Sequence, residues 1–183
     1  MVYGVGINDA GYPTQEKGKG YICPTFLKWR NMLQRCYSNL AYEDASVIDD
    51  WKTFSVFKEW IEGRYTREQI KEYHLDKDLF SVGGVRLYSP DTCCLLHPKV
   101  NTFLNSSDGG NRGVTKHKGR NNFLIQCKNP FTRKTVYLGV CDNQEDGYPV
   151  WREYKQSLAN ELSNSEYVTE VCVADRLREY FIY

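Results

Sequence analysis

The stretch from His74 to Asn101 restricts the fold more than any other part of the chain, because glycines and prolines interrupt it at short intervals. Gly83-Gly84 permits a tight reversal of the backbone, and Pro90 fixes φ within the turn formed by Tyr88 to Asp91. Pro98 suits the first turn of a helix. The sequence therefore predicts a strand, a loop, a second short strand and a helix, in that order.

Carboxylates lie at one end of this stretch and an amide lies at the other. Asp76 and Asp78 alternate with Leu75 and Leu79, as on a short strand with one acidic edge, and Asn101 falls in the predicted helix. Carboxylate and amide oxygens are ligands that hard divalent cations accept. The hairpin and helix can therefore bring oxygen ligands to one cation. The alternative is a hairpin packed under a helix, with carboxylates that are merely solvated.

The same stretch resembles the HNH-like segment of phage-encoded, homing-endonuclease-type proteins. In that family an acidic LDKD or LDRID strand precedes a Y-S-P-x-T/N-C turn and a helix that carries an asparagine; Leu75–Asp78, Tyr88–Cys93 and Asn101 match these parts. The resemblance implies that Asp76 and Asn101 hold Mg²⁺ or another divalent cation. The implied catalytic set is Asp76, Lys77, Asp78 and Asn101.

One residue departs from the family pattern. Lys77 stands where typical members have the histidine that activates water. A lysine near its ordinary pKa is protonated at neutral pH and cannot act as a base. Asp78 and His97 are the nearby groups that could assist a water molecule, although neither matches a catalytic position of the family.

The residues before this stretch extend the resemblance. A helical apolar stripe begins at Pro24 and a second helix is predicted through Glu62, with Gly63 ending it. The W-x-x-M-x-x-R-C-Y pattern from Trp29 and the W-x-x-F-x-x-F-x-x-W pattern from Trp51 are typical of the same family. The segment Gly4–Asp9 also resembles its N-terminus.

The polar segment Ser106–Asn111 is the best linker in the chain. It divides the sequence into a predicted helical region with the HNH-like ββα unit, residues 1–105, and a second domain, residues 106–183. Alternating apolar positions predict short strands in this second domain, followed by helices. The predicted strands are 113–116, 122–128 and 135–140, and the predicted helices are 150–162 and 168–180.

The second domain resembles the AP2 DNA-binding domain. The matching segments are Gly113-Val114, Asn122–Gln126, Tyr137–Asn143 and a helix with Trp151, Tyr154 and Lys155. The resemblance implies that a three-stranded antiparallel sheet, packed on a helix, docks in the major groove of DNA. Residues 145–149 replace the usual alanine-rich helix start, which is expected to delay the helix.

The charge distribution points to the same segment by an independent argument. The whole chain has a net charge of +1, but residues 109–141 contain no Asp or Glu. Acidic residues exceed basic ones from Asp142 onwards. A basic sheet backed by acidic helices indicates phosphate binding on one face, whereas the alternative is a solvated charged surface. The predicted DNA-binding residues are Arg112, Lys116, Lys118, Arg120, Lys128, Arg133 and Lys134.

The remaining composition narrows the class of protein. There are seven cysteines, an odd number, and none of them forms a C-x-x-C motif. We therefore expect free thiols in a reducing cytoplasm, which would be that of a host cell if the chain is phage-encoded. The apolar runs are too short to span a bilayer, so no membrane partner is expected.

The sequence thus predicts an α+β protein: N-terminal helices with an HNH-like ββα unit, then an AP2-like three-stranded sheet on a helix, and a C-terminal helix. Three functions stay open. The first is a metal-dependent DNA endonuclease that acts on double-stranded DNA. The second is a non-catalytic DNA- or protein-binding inhibitor of a host factor or defence system, which the missing histidine favours. The third is an RNA-binding or protein-interaction module.

Overall fold

The computed structural model describes residues 1–16, 18, 20–38, 44–105 and 113–182. The chain is mixed α+β, as expected, and forms two compact units, Met1–His97 and Pro98–Tyr183. The division lies after His97, whereas the sequence placed a boundary in the 106–111 segment, which is outside the described residues. Helix α4 (Pro98–Asn105) therefore belongs to the second unit, where Phe103 packs edge-to-face on Phe181 with ring centroids 5.8 Å apart.

The first unit combines three helices with short strand pairs. β1 (Gln15–Glu16) and β2 (Tyr21–Ile22) form an antiparallel hairpin. The predicted helices correspond to α1 and α2, and a third helix was not predicted. The other elements of this unit are α1 (Pro24–Ser38), β3 (Ser46–Val47), a 3₁₀ turn (Asp49–Lys52), α2 (Phe54–Arg64), α3 (Arg67–Glu72), β4 (His74–Asp76), β5 (Leu87–Tyr88) and β6 (Cys94–Leu96).

Aromatic side chains form the core of the first unit. Trp29 of α1 is fully buried, and its indole N–H donates to the carbonyl of Trp51 at 2.7 Å. Phe54 of α2 lies edge-to-face on Phe26, with ring centroids 5.5 Å apart. The apolar stripes predicted on α1 and α2 therefore face each other, and edge-to-face rings stabilise that packing beyond the area they bury.

The predicted hairpin is present, but its first strand is shorter than expected. β4 pairs antiparallel with β6, in a register that places Asp76 opposite Cys94. The strand ends at Asp76, whereas the alternation had predicted that it continues to Leu79. Gly83 and Gly84 both have positive φ, 67° and 77°, as the predicted reversal requires. β5 pairs in parallel with β3 and so lies outside the hairpin.

The second unit contains the three-stranded antiparallel sheet that the sequence predicted. β7 (Val114–Lys116), β8 (Phe123–Lys128) and β9 (Thr135–Cys141) lie in that order, with β8 in the centre. Helix α5 (Gln144–Ser163) packs on one face, and α6 (Val171–Glu179) packs on α5. Within the described residues of the second unit, no other helix packs on the sheet, and the face opposite α5 is left free.

Helix α5 begins six residues before the predicted start, so the expectation of a delayed helix was wrong. The Asn143 side chain caps the helix by accepting a hydrogen bond from the Asp146 N–H at 2.9 Å. Glu145 and Asp146 then occupy the first turn, where negative charge is favourable for the helix dipole. These two effects start the helix early and place Pro149 inside it.

The end of the chain docks on the second unit. The Gln156 amide of α5 donates to the carbonyls of Leu177 and Arg178, at 3.1 and 2.8 Å. The Gln156 carbonyl accepts from the Phe181 N–H at 2.8 Å. The Phe181 ring lies 6.0 Å from that of Trp151. A single glutamine thus joins α5 to α6 and to the tail.

Two broader expectations can also be compared with the structure. All seven cysteines are free thiols. Among the residues that the structure describes, no helix combines the length and the apolar character needed to cross a membrane.

Candidate nucleic-acid interface

The Asp76 carboxylate forms hydrogen bonds with the backbone of the turn that follows it. Its Oδ1 accepts hydrogen bonds from the Asp78 N–H at 3.0 Å and from the Leu79 N–H at 2.8 Å. The side chain is buried, and this burial raises its pKa, although the two backbone hydrogen bonds act in the opposite direction. Asp76 therefore ends β4 and stabilises the turn that follows.

Lys77 is also buried, with only 3% of its surface exposed. Its Nζ forms an ion pair with the exposed Asp78 carboxylate at 2.6 Å and lies 5.6 Å from the centre of the Tyr88 ring. The Tyr88 hydroxyl in turn accepts a hydrogen bond from Arg35 at 3.2 Å. The lysine is thus part of a packed polar cluster and does not extend into solvent.

The other predicted site residues make contacts within their own units. Asn101 belongs to the second unit, on α4, where its side-chain carbonyl accepts from the Asn105 amide at 3.3 Å. His97 is half-buried, and its ring packs edge-to-face on Tyr73 with centroids 5.3 Å apart. In the described parts of the chain, no three His, Cys, Asp or Glu side chains are grouped as metal ligands.

The residues around Asp76 therefore fit a divalent cation poorly. One carboxylate is buried and already accepts two backbone hydrogen bonds, and the other is paired with a lysine ammonium. A hard cation takes six or more oxygen ligands, several of them carboxylates free to coordinate.

The free face of the second-unit sheet, opposite α5, has no charged side chain at its centre. Val114, Ile125 and Cys127 are buried under α5, so the alternating residues point the other way. On that free face Gln126 lies opposite Tyr137, whose side chain is 64% exposed. Thr115, Leu124 and Val140 form the neighbouring row of the same face.

Basic residues lie in and beside the turn between β7 and β8, at one end of the sheet; Lys116 alternates with Thr115 and so lies on the same side of β7 as Val114. The turn is closed by a hydrogen bond from the His117 N–H to the Asn122 carbonyl at 2.9 Å. Lys116, Lys118 and Arg120 are exposed around it, and none of the three forms an ion pair with any described residue. Three cations are therefore presented at one end of the sheet.

A second basic group lies at the opposite end, in the turn between β8 and β9. The Asn129 carbonyl Oδ1 accepts from the N–H groups of Phe131 and Thr132, at 2.9 and 3.0 Å, and so fixes the turn. Arg133 has a φ of 61°, in the left-handed region. The exposed basic residues at this end are Lys128, Arg133 and Lys134.

The two basic turns are separated by the length of the central strand. β8 has six residues, and at about 3.3 Å per residue its ends are roughly 17 Å apart. The major groove of B-DNA is about 12 Å wide. The basic turns can therefore contact the phosphates on both sides of a groove while the uncharged face meets the base edges.

The sequence predicted the basic residues but not the residues between them. Six of the seven predicted DNA-binding residues lie at the two turns, and Arg112 is outside the described residues. Gln126 and Tyr137 were not singled out. The alternation of Gln126 with the buried Ile125 and Cys127 was the signal that could have identified Gln126, and Tyr137 is its partner on β9.

Comparisons with known proteins give no relative for this arrangement. No family model matches the chain, and neither a curated protein nor a solved structure matches it.

Proposed function

We propose that the chain binds double-stranded DNA through the three-stranded sheet of its second unit, as the resemblance to AP2 domains implies. The observation that carries the proposal is the pair of basic turns at the two ends of an uncharged sheet face. From Gly113 to Cys141 the chain has six basic residues and no acidic one. Phosphate contacts supply most of the affinity for DNA, and basic clusters of this kind supply the contacts.

The free face favours a duplex over single-stranded RNA. Sheets that bind RNA stack two or three bases on aromatic side chains. Among the described residues of this free face, Tyr137 is the aromatic side chain that is exposed. Gln126 offers a side-chain amide, a group suited to hydrogen bonding with the edge of adenine in the major groove. The face thus provides readout groups for a groove and little stacking surface.

The change Lys116→Ala, Lys118→Ala and Arg120→Ala is expected to weaken DNA binding and to flatten its salt dependence. Each phosphate contact removed lowers the slope of log K against log salt by roughly 0.9, so three contacts lower it by about 2.7. Fluorescence anisotropy with a labelled 20-bp duplex at several salt concentrations measures both quantities. Single-stranded RNA of equal length is expected to bind more weakly than the duplex.

The matched control removes the same charge from the helices of this unit, by Arg152→Ala, Arg176→Ala and Arg178→Ala. The control variant is expected to keep the slope of the wild-type protein, because these residues lie on α5 and α6 and not at the turns. An unchanged affinity and slope in the Lys116, Lys118 and Arg120 variant would place DNA binding elsewhere or refute it.

We further propose that the HNH-like turn of the first unit is a structural element and does not cut DNA. Its support is the use of Asp76 as a backbone cap and the burial of Lys77 in an ion pair. Typical family members have a general base directly after the metal-binding aspartate, whereas this chain has a lysine there. The resemblance to homing-endonuclease-type proteins is then one of sequence pattern and does not extend to the chemistry.

Supercoiled plasmid incubated with the purified protein and Mg²⁺ or Mn²⁺ is expected to stay uncut, with or without a chelator. Asp76→Ala is expected to reduce the stability of the first unit by about 1–3 kcal/mol, because two backbone N–H groups, one of them buried, lose their acceptor. Asp91→Ala, at an exposed turn position, serves as the control. Metal-dependent nicking that disappears in Asp76→Ala, with stability unchanged, would restore the endonuclease hypothesis.

A further inference from the structure

A cleft in the first unit lies between α1, α2 and α3 and has a volume of about 440 Å³. This volume lies within the range of small-molecule sites in proteins. Its floor is built from core residues: Thr25 and Ile70 are 3% and 2% exposed. Tyr65 is buried at its side, and Tyr21 is 43% exposed at its rim. The cleft therefore has a closed, partly apolar floor and an aromatic wall.

Charged groups line the rim of the cleft, and the Glu62 carboxylate already accepts two hydrogen bonds. Its two carboxylate oxygens accept hydrogen bonds from the Thr25 hydroxyl, at 2.7 Å, and from the Lys58 ammonium, at 2.5 Å. Burial tends to raise the pKa of Glu62, but these bonds and the charge of Arg67 outweigh it, and the pKa is lowered. Glu62 is thus a fixed anion that holds Lys58 at the rim.

Arg67 differs from Lys58 because its hydrogen-bonding capacity is unused. Its guanidinium lines the cleft, and it forms no hydrogen bond or ion pair with the described residues. Its backbone is held at the start of α3 by the capping box of Thr66 and Gln69. A guanidinium presents five N–H donors in a planar fork that matches a carboxylate or phosphate.

The charges of the rim leave a positive excess next to the aromatic wall. Lys58 and Arg67 are cations and Glu62 is the anion between them. Tyr21 and Arg67 line the same cleft, so a ring that packs on Tyr21 can direct a negative substituent towards Arg67. Aromatic packing and a bidentate hydrogen bond are complementary contributions, since one is apolar and the other fixes orientation.

We propose that this cleft binds a planar aromatic compound that carries a phosphate or carboxylate group, with the ring on Tyr21 and the anion on Arg67. A nucleotide and an aromatic carboxylic acid are two sources of this chemistry. The site belongs to the first unit and does not depend on DNA binding by the second unit.

Isothermal titration calorimetry of the 183-residue chain with 5′-dAMP and with indole-3-carboxylate tests the proposal, and adenosine and inorganic phosphate are the partial probes. At least one complete probe is expected to bind with a Kd below about 1 mM, and each partial probe more weakly. Arg67→Gln is expected to weaken that binding roughly tenfold, because a charge-assisted hydrogen-bond pair is lost. Tyr21→Ala is expected to weaken it as well.

Lys71→Gln is the matched control, because Lys71 carries the same charge on α3 and does not line the cleft. This variant is expected to bind like the wild-type protein. Preference for 5′-dAMP or for indole-3-carboxylate identifies the source of the ligand, and either preference supports the site. The proposal is overturned if neither complete probe binds, or if Arg67→Gln binds as tightly as the wild type.

Discussion

Replacing Gly113 with alanine is expected to lower the free energy of unfolding of the second unit by roughly 3 kcal/mol, because backbone strain and a steric clash add together. Gly113 has a φ of +71°, and a Cβ there would lie 2.1 Å from Trp151 Cδ1 and 2.3 Å from the Gln126 carbonyl oxygen. The buried indole and the strand backbone cannot both move aside. Urea unfolding, combined with hydrogen exchange of peptides from residues 113–163, measures the loss.

Gly119→Ala is the matched control for this change. Gly119 also has a positive φ, +78°, but nothing lies within 4 Å of the position that a Cβ would take. Alanine there is expected to cost about 1 kcal/mol, from the left-handed backbone alone. Equal losses for the two variants would show that the contact of Gly113 with Trp151 does not hold the sheet on α5.

The strands of the sheet were predictable because one face of each is buried. The predicted strands end within one residue of those observed, since Ile125 and Cys127 alternate with polar or exposed positions in β8. The same periodicity cannot show where the basic side chains lie. Their location at the two turns depends on local geometry, such as the Asn129 hydrogen bonds and the left-handed Arg133.

Two helix starts show the limits of propensity. Helix α3 was missed although Thr66 and Gln69 have the spacing of a capping box, and both hydrogen bonds of that box are present. The start of α5 was predicted too late because residues 145–149 lack the alanine-rich sequence of AP2 domains, whereas the Asn143 cap begins the helix at Gln144. In both cases a side chain that satisfies the first N–H groups of the helix decides where it begins.

The acidic turn of the first unit shows why a motif does not fix its chemistry. Asp76 and Asp78 are two residues apart, as on a strand edge, and the strand pattern placed both on one side. The structure ends the strand at Asp76 and turns its carboxylate towards the backbone. Whether a carboxylate caps a turn or faces a ligand depends on the dihedral angles of the following residues, which the sequence pattern does not specify.

Lys155→Glu is expected to abolish folding of the second unit or to cost more than about 4 kcal/mol. Lys155 is fully buried, and its Nζ lies 4.3 Å from the ring centre of Phe103 and within 6 Å of the Trp151 and Phe181 rings. The faces of aromatic rings carry partial negative charge, so they stabilise an ammonium and repel a carboxylate. The loss would release α4 and the tail together, because both contact this lysine.

Two further variants separate charge from packing at this position. Lys155→Met keeps the length of the side chain and removes the cation–π contacts, and it is expected to cost about 2 kcal/mol. Arg152→Glu makes the same change of charge on α5 at a half-exposed side chain, and its effect is expected to stay within about 0.5 kcal/mol. Thermal unfolding followed by circular dichroism ranks the three variants. If Lys155→Glu is no less stable than Arg152→Glu, the aromatic rings do not depend on the buried ammonium, and the tail docks by apolar contact alone.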